Sequence, residues 1–226
     1  MTKLPLRLVI FDCDGVLVDS EGPSNRMVAE EISRLGWPML EAEATQRFIG
    51  FRLSDIPPVV EARLGRSVPA GWVGHLRQRL VSVLGQEVEP MPGIPEVLHA
   101  VTALGLPYRV ASNSGHEEMR AKFARTGLTR LFEGRAHSAY DVARGKPAPD
   151  VFLAAAAAEA EGVPPAACIV VEDSLVGVQA AVAAGMACVG LDPHGAGEAL
   201  RAAGARPIQS LAELPALLRA AMCSAA

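Results

Sequence analysis

The sequence predicts an α/β protein: a Rossmann-like, doubly wound parallel sheet core with an inserted all-helical cap domain. Three observations predict it. Short apolar runs that read as buried strands recur along the chain, helical stretches separate the later runs, and one long interval after the first run is helical throughout.

The first strand is read from Leu6-Arg7-Leu8-Val9-Ile10-Phe11, which ends in acidic residues. Similar runs follow at Pro107 to Ala111, Ala167 to Val171 and Met186 to Leu191. Helices are expected over Glu117 to Thr126, Pro149 to Glu161 and Leu175 to Ala184, with a last one from Leu211 to Ala221. Strands alternating with helices imply parallel pairing, because each crossover needs a helix.

The interval from Gly22 to Glu89 breaks this alternation. Its periodicity places helices at Asn25 to Leu35, Glu41 to Phe48, Ser54 to Leu64 and Gly71 to Gln86. Four helices exceed what one crossover requires, so we expect a separate cap over residues 21–89 and a core over 1–20 and 90–226. Pro90-Met91-Pro92-Gly93 punctuates the return to the core.

Composition excludes several classes. A net charge of -4, with no basic run or aromatic-plus-basic stripe, gives no footprint for nucleic acid. No apolar run approaches the ~20 residues that span a bilayer, so no membrane partner is expected. The start of the chain lacks an apolar leader ending at small residues, and the four cysteines form no CxxC pair. A cytoplasmic setting is the resulting expectation; oligomeric state is not legible. Among 21 basic residues only Lys3, Lys122 and Lys146 are lysine, which draws attention to the context of Lys146.

Four polar clusters adjoin the strand-like runs. Asp12-Cys13-Asp14-Gly15, followed by Val16-Leu17-Val18-Asp19-Ser20, puts two carboxylates at a strand end, where a hard cation such as Mg2+ would suit them. Ser112-Asn113-Ser114-Gly115 fits either a phosphate cradle or a helix cap. Gly145-Lys146-Pro147-Ala148-Pro149-Asp150 is a proline-stiffened loop whose lysine is either solvated or aimed at phosphate and a nearby acid. Glu172-Asp173-Ser174 fits a helix start or a metal shell, with Ser174 as the cap. Ligands of open parallel sheets bind beyond the carboxyl ends of strands, so the clusters are expected to converge.

In this order, the motifs DCDGVLVDS, ASNSG, GKPAPD and VVEDS resemble those of the haloacid dehalogenase superfamily, over about Leu6 to Leu191. The subgroup most similar holds β-phosphoglucomutase-like and phosphoglycolate-phosphatase-like proteins with a helical cap. The resemblance implies a Mg2+-dependent phosphatase of a small phosphorylated metabolite. Asp12 would be the nucleophile and Asp14 the general acid and base. Asp12, Asp14 (by its carbonyl), Asp173 and Glu172 would form or support the metal shell. Ser112, Asn113 and Lys146 would hold the phosphate.

A mutase of the same subgroup is the alternative. It is disfavoured because Ser24 stands where those mutases have a cap histidine, and Ile49-Gly50 lacks their lysine. Phospho-receiver and noncatalytic proteins fit less well, given the helical insertion and the complete acid and lysine set. Arg47 and Arg52 flank Ile49-Gly50 and are expected either to tune specificity or simply to be exposed. Asp19 and Ser20 read as hinge residues, Trp37 and Trp72 as packing, and His116 as a secondary phosphate-proximal possibility.

Overall fold

The computed structural model describes residues 5–48, 52–193, 195 and 197–223. The chain opens with β1 (Leu8–Phe11) and β2 (Val18–Asp19). Helices α1 (Glu21–Arg34), α2 (Glu41–Phe48), α3 (Ile56–Leu64) and α4 (Trp72–Glu87) lead to β3 (Glu89–Pro90). Then come α5 (Ile94–Ala103), β4 (Tyr108–Ser112), α6 (His116–Thr126), α7 (Thr129–Phe132), β5 (Ala136–Ser138) and α8 (Asp150–Ala157). The last elements are β6 (Cys168–Glu172), α9 (Leu175–Ala183), β7 (Ala187–Leu191), α10 (Glu198–Ala202), β8 (Arg206–Ile208) and α11 (Leu214–Cys223).

Six strands form one parallel sheet in the order β5-β4-β1-β6-β7-β8. Alternation along β1 builds two apolar layers, because successive side chains point to opposite faces. Leu8 and Ile10 pack with Val151, Phe152 and Val178 of α8 and α9. Val9, Phe11 and Cys13 belong to the other layer, with Val97 and Val101 of α5 and Leu214 and Leu218 of α11. Chain order reverses across β1, so its carboxyl end is a switch point, where this architecture leaves a crevice.

The insertion is bracketed by an antiparallel pair, with Val18 opposite Pro90 and Asp19 opposite Glu89. Between β2 and β3 the described residues form helices and no strand. Met27, Ile32, Leu76 and Leu84 from these helices continue the apolar layer that contains Val9 and Phe11. Helix α4 packs on α6, where Gly85 faces Ala121 at close range.

Several elements differ from expectation. The edge strands β5 and β8 have only three residues each and include His137, Arg206 and Pro207, so no apolar run marks them. Helix α5 is not among the expected helices, although its buried Ile94, Val97, Leu98 and Val101 have helical spacing. Helix α8 ends at Ala157 rather than Glu161; Glu161 and Gly162 adopt positive φ of 61° and 67°, which turns the chain toward β6.

Candidate active site

Asp12 follows β1 directly, and its backbone N–H donates to the Val171 carbonyl at 2.9 Å. The strand ends of β1 and β6 are thus zipped together up to the acidic residues of both. Cys13 turns into the apolar layer while Asp12 and Asp14, two residues apart, face the crevice. Gly15 then reverses the chain at φ 73°, donating its N–H to the Val18 carbonyl at 2.9 Å. A Cβ on Gly15 would lie 1.8 Å from Asp173 Oδ2, so glycine serves both the turn and the close approach of Asp173.

Lys146 is 4% exposed and its ammonium lies 2.5 Å from Asp12 Oδ1 and 2.6 Å from Glu172 Oε1. It also sits 4.6 Å from the centre of the Phe152 ring. Burial alone would lower the Lys146 pKa, but the Asp12 and Glu172 charges and hydrogen bonds outweigh it and hold the ammonium charged. The loop carrying Lys146 includes a cis Lys146–Pro147 peptide. Glu172 Oε2 accepts from the backbone N–H groups of Asp173 and Ser174 and from the Ser174 hydroxyl, at 3.0, 3.0 and 2.9 Å. Ser174 caps α9 as expected, accepting from Gly177 N–H at 3.0 Å.

Asp14 has its own cation, which sequence reasoning missed. Lys122, on α6 and 1% exposed, donates to Asp14 Oδ1 at 2.6 Å and to Ser114 Oγ at 2.7 Å. Ser114 Oγ donates to Asp14 Oδ2 at 2.8 Å, and Ser20 Oγ donates to Asp14 Oδ1. Burial pushes the Asp14 carboxyl up, but the Lys122 charge and the hydrogen bonds from Lys122, Ser20 and Ser114 hold it below the usual carboxylate range. A signal for Lys122 existed: with Met119 and Phe123 it shares the buried stripe of α6, where a rare lysine needs a partner.

The remaining expected residues divide. Ser112 is buried at the end of β4, accepts from Ser114 N–H at 3.0 Å and makes a long 3.5 Å contact with Asp14 Oδ2. Neither Ser112 nor Asn113 caps α6; Gly115 occupies that position without a side-chain cap. Asn113 grips the Lys146 backbone instead, accepting from its N–H at 3.0 Å and donating to its carbonyl at 3.4 Å. Ser20 is buried and bound to Asp14, whereas Asp19 is exposed in β2.

In the insertion, the Arg47 guanidinium lies over the Trp37 ring at 5.1 Å. Arg52 is exposed, with its backbone N–H held by Asp55 at 3.1 Å. Among the described residues neither guanidinium bonds to the four motifs, and Ile49-Gly50 and His194 lie outside those residues. Ser24 donates to the Ser20 carbonyl at 2.6 Å within α1. Trp72 is buried in the core as expected, and His116 pairs with Asp141 at 2.8 Å.

The donor set fits a hard cation. Oxygens of Asp12, Glu172 and Asp173 lie within 4.8 Å of one another, and Lys146 pairs with the first two. Glu172 is committed to Lys146 and the start of α9. Asp12 Oδ2 and the Asp173 carboxylate accept no hydrogen bond among the described residues, which leaves them free for a metal ion. Burial raises the Asp12 carboxyl to about 7, against the pull of Lys146. Burial and the neighbouring charges of Asp12, Glu172, Glu21 and Asp14 raise Asp173 to about 9. Three carboxylates, of which Lys146 pairs with two, leave net negative charge in the cluster.

Strand-end acids, two buried lysines and serine hydroxyls thus gather at one end of a doubly wound parallel sheet. The chain belongs to the haloacid dehalogenase-like hydrolases, whose family model matches residues 6–185. It is 31% identical to 6-phosphogluconate phosphatase of Escherichia coli K12 over 194 residues, covering 84% of this chain and 85% of that one. It is 29% identical to validoxylamine A 7′-phosphate phosphatase of Streptomyces hygroscopicus subsp. limoneus, covering 86% and 89%. A haloacid dehalogenase family hydrolase from Deinococcus radiodurans, solved with bound phosphate and sodium, superposes with TM-score 0.78 at 32% identity, covering 96% of each chain. No helix among the described residues is long and apolar enough to cross a membrane.

Proposed function

We propose that this chain is a Mg2+-dependent phosphatase that hydrolyses a small phosphomonoester, a sugar phosphate or similar metabolite, through a phosphoaspartate on Asp12. The observation that carries this reading is the bridge from Lys146 to both Asp12 and Glu172, beside an Asp173 carboxylate that accepts no hydrogen bond among the described residues. Asp12 Oδ2, which accepts no hydrogen bond among the described residues, would be the nucleophilic oxygen. Its attack forms the Asp12–phosphorus bond as the ester bond breaks. Asp14 delivers a proton to the leaving alkoxide and then, as the carboxylate, takes one from the water that cleaves the phosphoaspartate.

Asp12, Asp173 and the Asp14 carbonyl would hold the magnesium, with Glu172 in support. Its charge would offset that of the transferring phosphoryl oxygens. Lys146 orients Asp12 and adds a second positive charge. Ser112 presents a hydroxyl from the strand end, and Asn113 acts by holding Lys146. Residues 21–89 form the cap and 1–20 with 90–226 the core. Exclusion of solvent by the cap and its contacts with the organic group would select the substrate.

The named phosphatase relatives take two different organic phosphates, which supports a small phosphorylated metabolite as the substrate class. Magnesium-dependent phosphate release from p-nitrophenyl phosphate, followed by a metabolite panel ranked by kcat/KM, tests the proposal. No release with any ester in magnesium would refute it, and conversion of β-glucose 1-phosphate to glucose 6-phosphate would replace it with a mutase. Arg52 and Arg47 are proposed to tune specificity. Unchanged kcat/KM for every good substrate in Arg52→Ala removes Arg52 from that role.

A further inference from the structure

We infer that Lys122 is a positioning residue for the hydrolytic half of the reaction, which holds Asp14 as the base that activates water. This inference rests on the proposed phosphoaspartate chemistry and adds a residue that the four motifs do not contain. Every group bonded to Asp14 is a donor. Oδ1 accepts from the Lys122 ammonium at 2.6 Å and from Ser20 Oγ, and Oδ2 accepts from Ser114 Oγ at 2.8 Å. Lys122 also donates to Ser114 Oγ at 2.7 Å, which closes a ring of three groups.

A carboxyl group gripped at both oxygens, by Lys122 and Ser20 on one and Ser114 on the other, is fixed in one orientation toward the attacking water. Lys122 is 1% exposed and inside the fold, so the ring is not a solvated surface contact. Its stem rises from α6, beside Met119 and Phe123, which are also buried. The ammonium reaches Asp14 from the side of α6, whereas Lys146 reaches Asp12 from the loop before α8. The two lysines therefore serve separate acids.

The two half-reactions place different demands on this ring. Formation of the phosphoaspartate from an aryl ester needs no proton donor, because the phenolate leaves unaided. Its breakdown does need a base: water loses a proton to Asp14, the water oxygen bonds to phosphorus, and the Asp12–phosphorus bond breaks to give inorganic phosphate. Loss of Lys122 should therefore slow the second half and spare the first when p-nitrophenyl phosphate is the substrate.

The test is stopped-flow and steady-state kinetics with p-nitrophenyl phosphate in magnesium for wild type, K122M, K122R and S114A. In K122M, kcat is expected to fall about 10-fold or more while kcat/KM stays within about 3-fold. A burst of p-nitrophenol equal to the enzyme concentration should appear as phosphoaspartate accumulates. K122R should recover part of kcat, and S114A should show the same split at smaller size. Should K122M fail to fold, S114A decides. If kcat and kcat/KM fall together without a burst, or neither changes, the Lys122 inference is overturned while the phosphatase reading survives. A folded wild type that releases no p-nitrophenol overturns both.

Discussion

Asn113 holds Lys146 by the backbone: its amide oxygen accepts from the Lys146 N–H at 3.0 Å while its amide nitrogen reaches the Lys146 carbonyl at 3.4 Å. The residue after β4 thereby fixes a loop that enters the site from 33 positions away in sequence. Close approach is built in, because a Cβ on Gly145 would meet Asn113 Oδ1 at 2.9 Å.

Loss of that grip should act through Lys146. Asn113→Ala leaves a half-buried N–H and carbonyl without their partners and frees the ammonium from its fixed direction. We expect kcat/KM to fall about 10- to 100-fold with the fold intact, read by steady-state kinetics and circular dichroism. Unchanged kcat/KM would show that the loop is held in place without Asn113.

Asp12→Asn removes the nucleophile while preserving shape. Turnover should fall by about 10⁴-fold or more, and no acid-stable, hydroxylamine-sensitive phosphoenzyme should form from radiolabelled substrate. Near-normal turnover would displace Asp12 from its proposed role.

Metal removal should reveal the crowded carboxylates as a pH-dependent instability. The Asp12 and Asp173 pKa values are raised in the fold from 3.8 to about 7 and about 9. Groups whose folded pKa is raised favour the folded state most at low pH, and that contribution is lost as pH rises through the folded values. With EDTA, Tm should therefore fall from about pH 4, where these acids ionise in the unfolded chain, and level off near pH 9, once both have ionised in the fold as well. Magnesium should flatten this decline by binding the folded carboxylates. A Tm profile identical with and without the ion would argue against the metal site.

Gly177→Ala should destabilise, although alanine ordinarily improves a helix by about 1 kcal/mol. A Cβ at Gly177 would lie 1.7 Å from Glu172 Oε1. Glu172 cannot swing aside cheaply, because it is buried and bound by Lys146, Ser174 and two backbone N–H groups. We expect a net loss of about 1–2 kcal/mol and a Tm lower by about 2–8 °C, measured by calorimetry. A rise in Tm would mean that Glu172 is more mobile than its contacts imply.

The parts of this protein that its sequence by itself determined are those with a local signature. Leu8 to Phe11 and Cys168 to Val171 are unbroken apolar runs, so the central strands were legible, as were the four helices between Ser20 and Glu89. The polar clusters that follow such runs could be recognised because a parallel sheet gathers its ligand groups at strand ends. The edge strands β5 and β8 escaped notice, because half-exposed three-residue strands carry little apolar pattern.

Only the tertiary structure decided which lysine serves which acid. Lys122 and Asp14 are separated by 108 positions, and no spacing rule connects them. The fold also turned Asn113 onto the Lys146 backbone and committed Glu172 to Lys146 and the start of α9. Strand and helix periodicity is written in neighbouring residues, whereas buried charges find their partners through packing of distant elements.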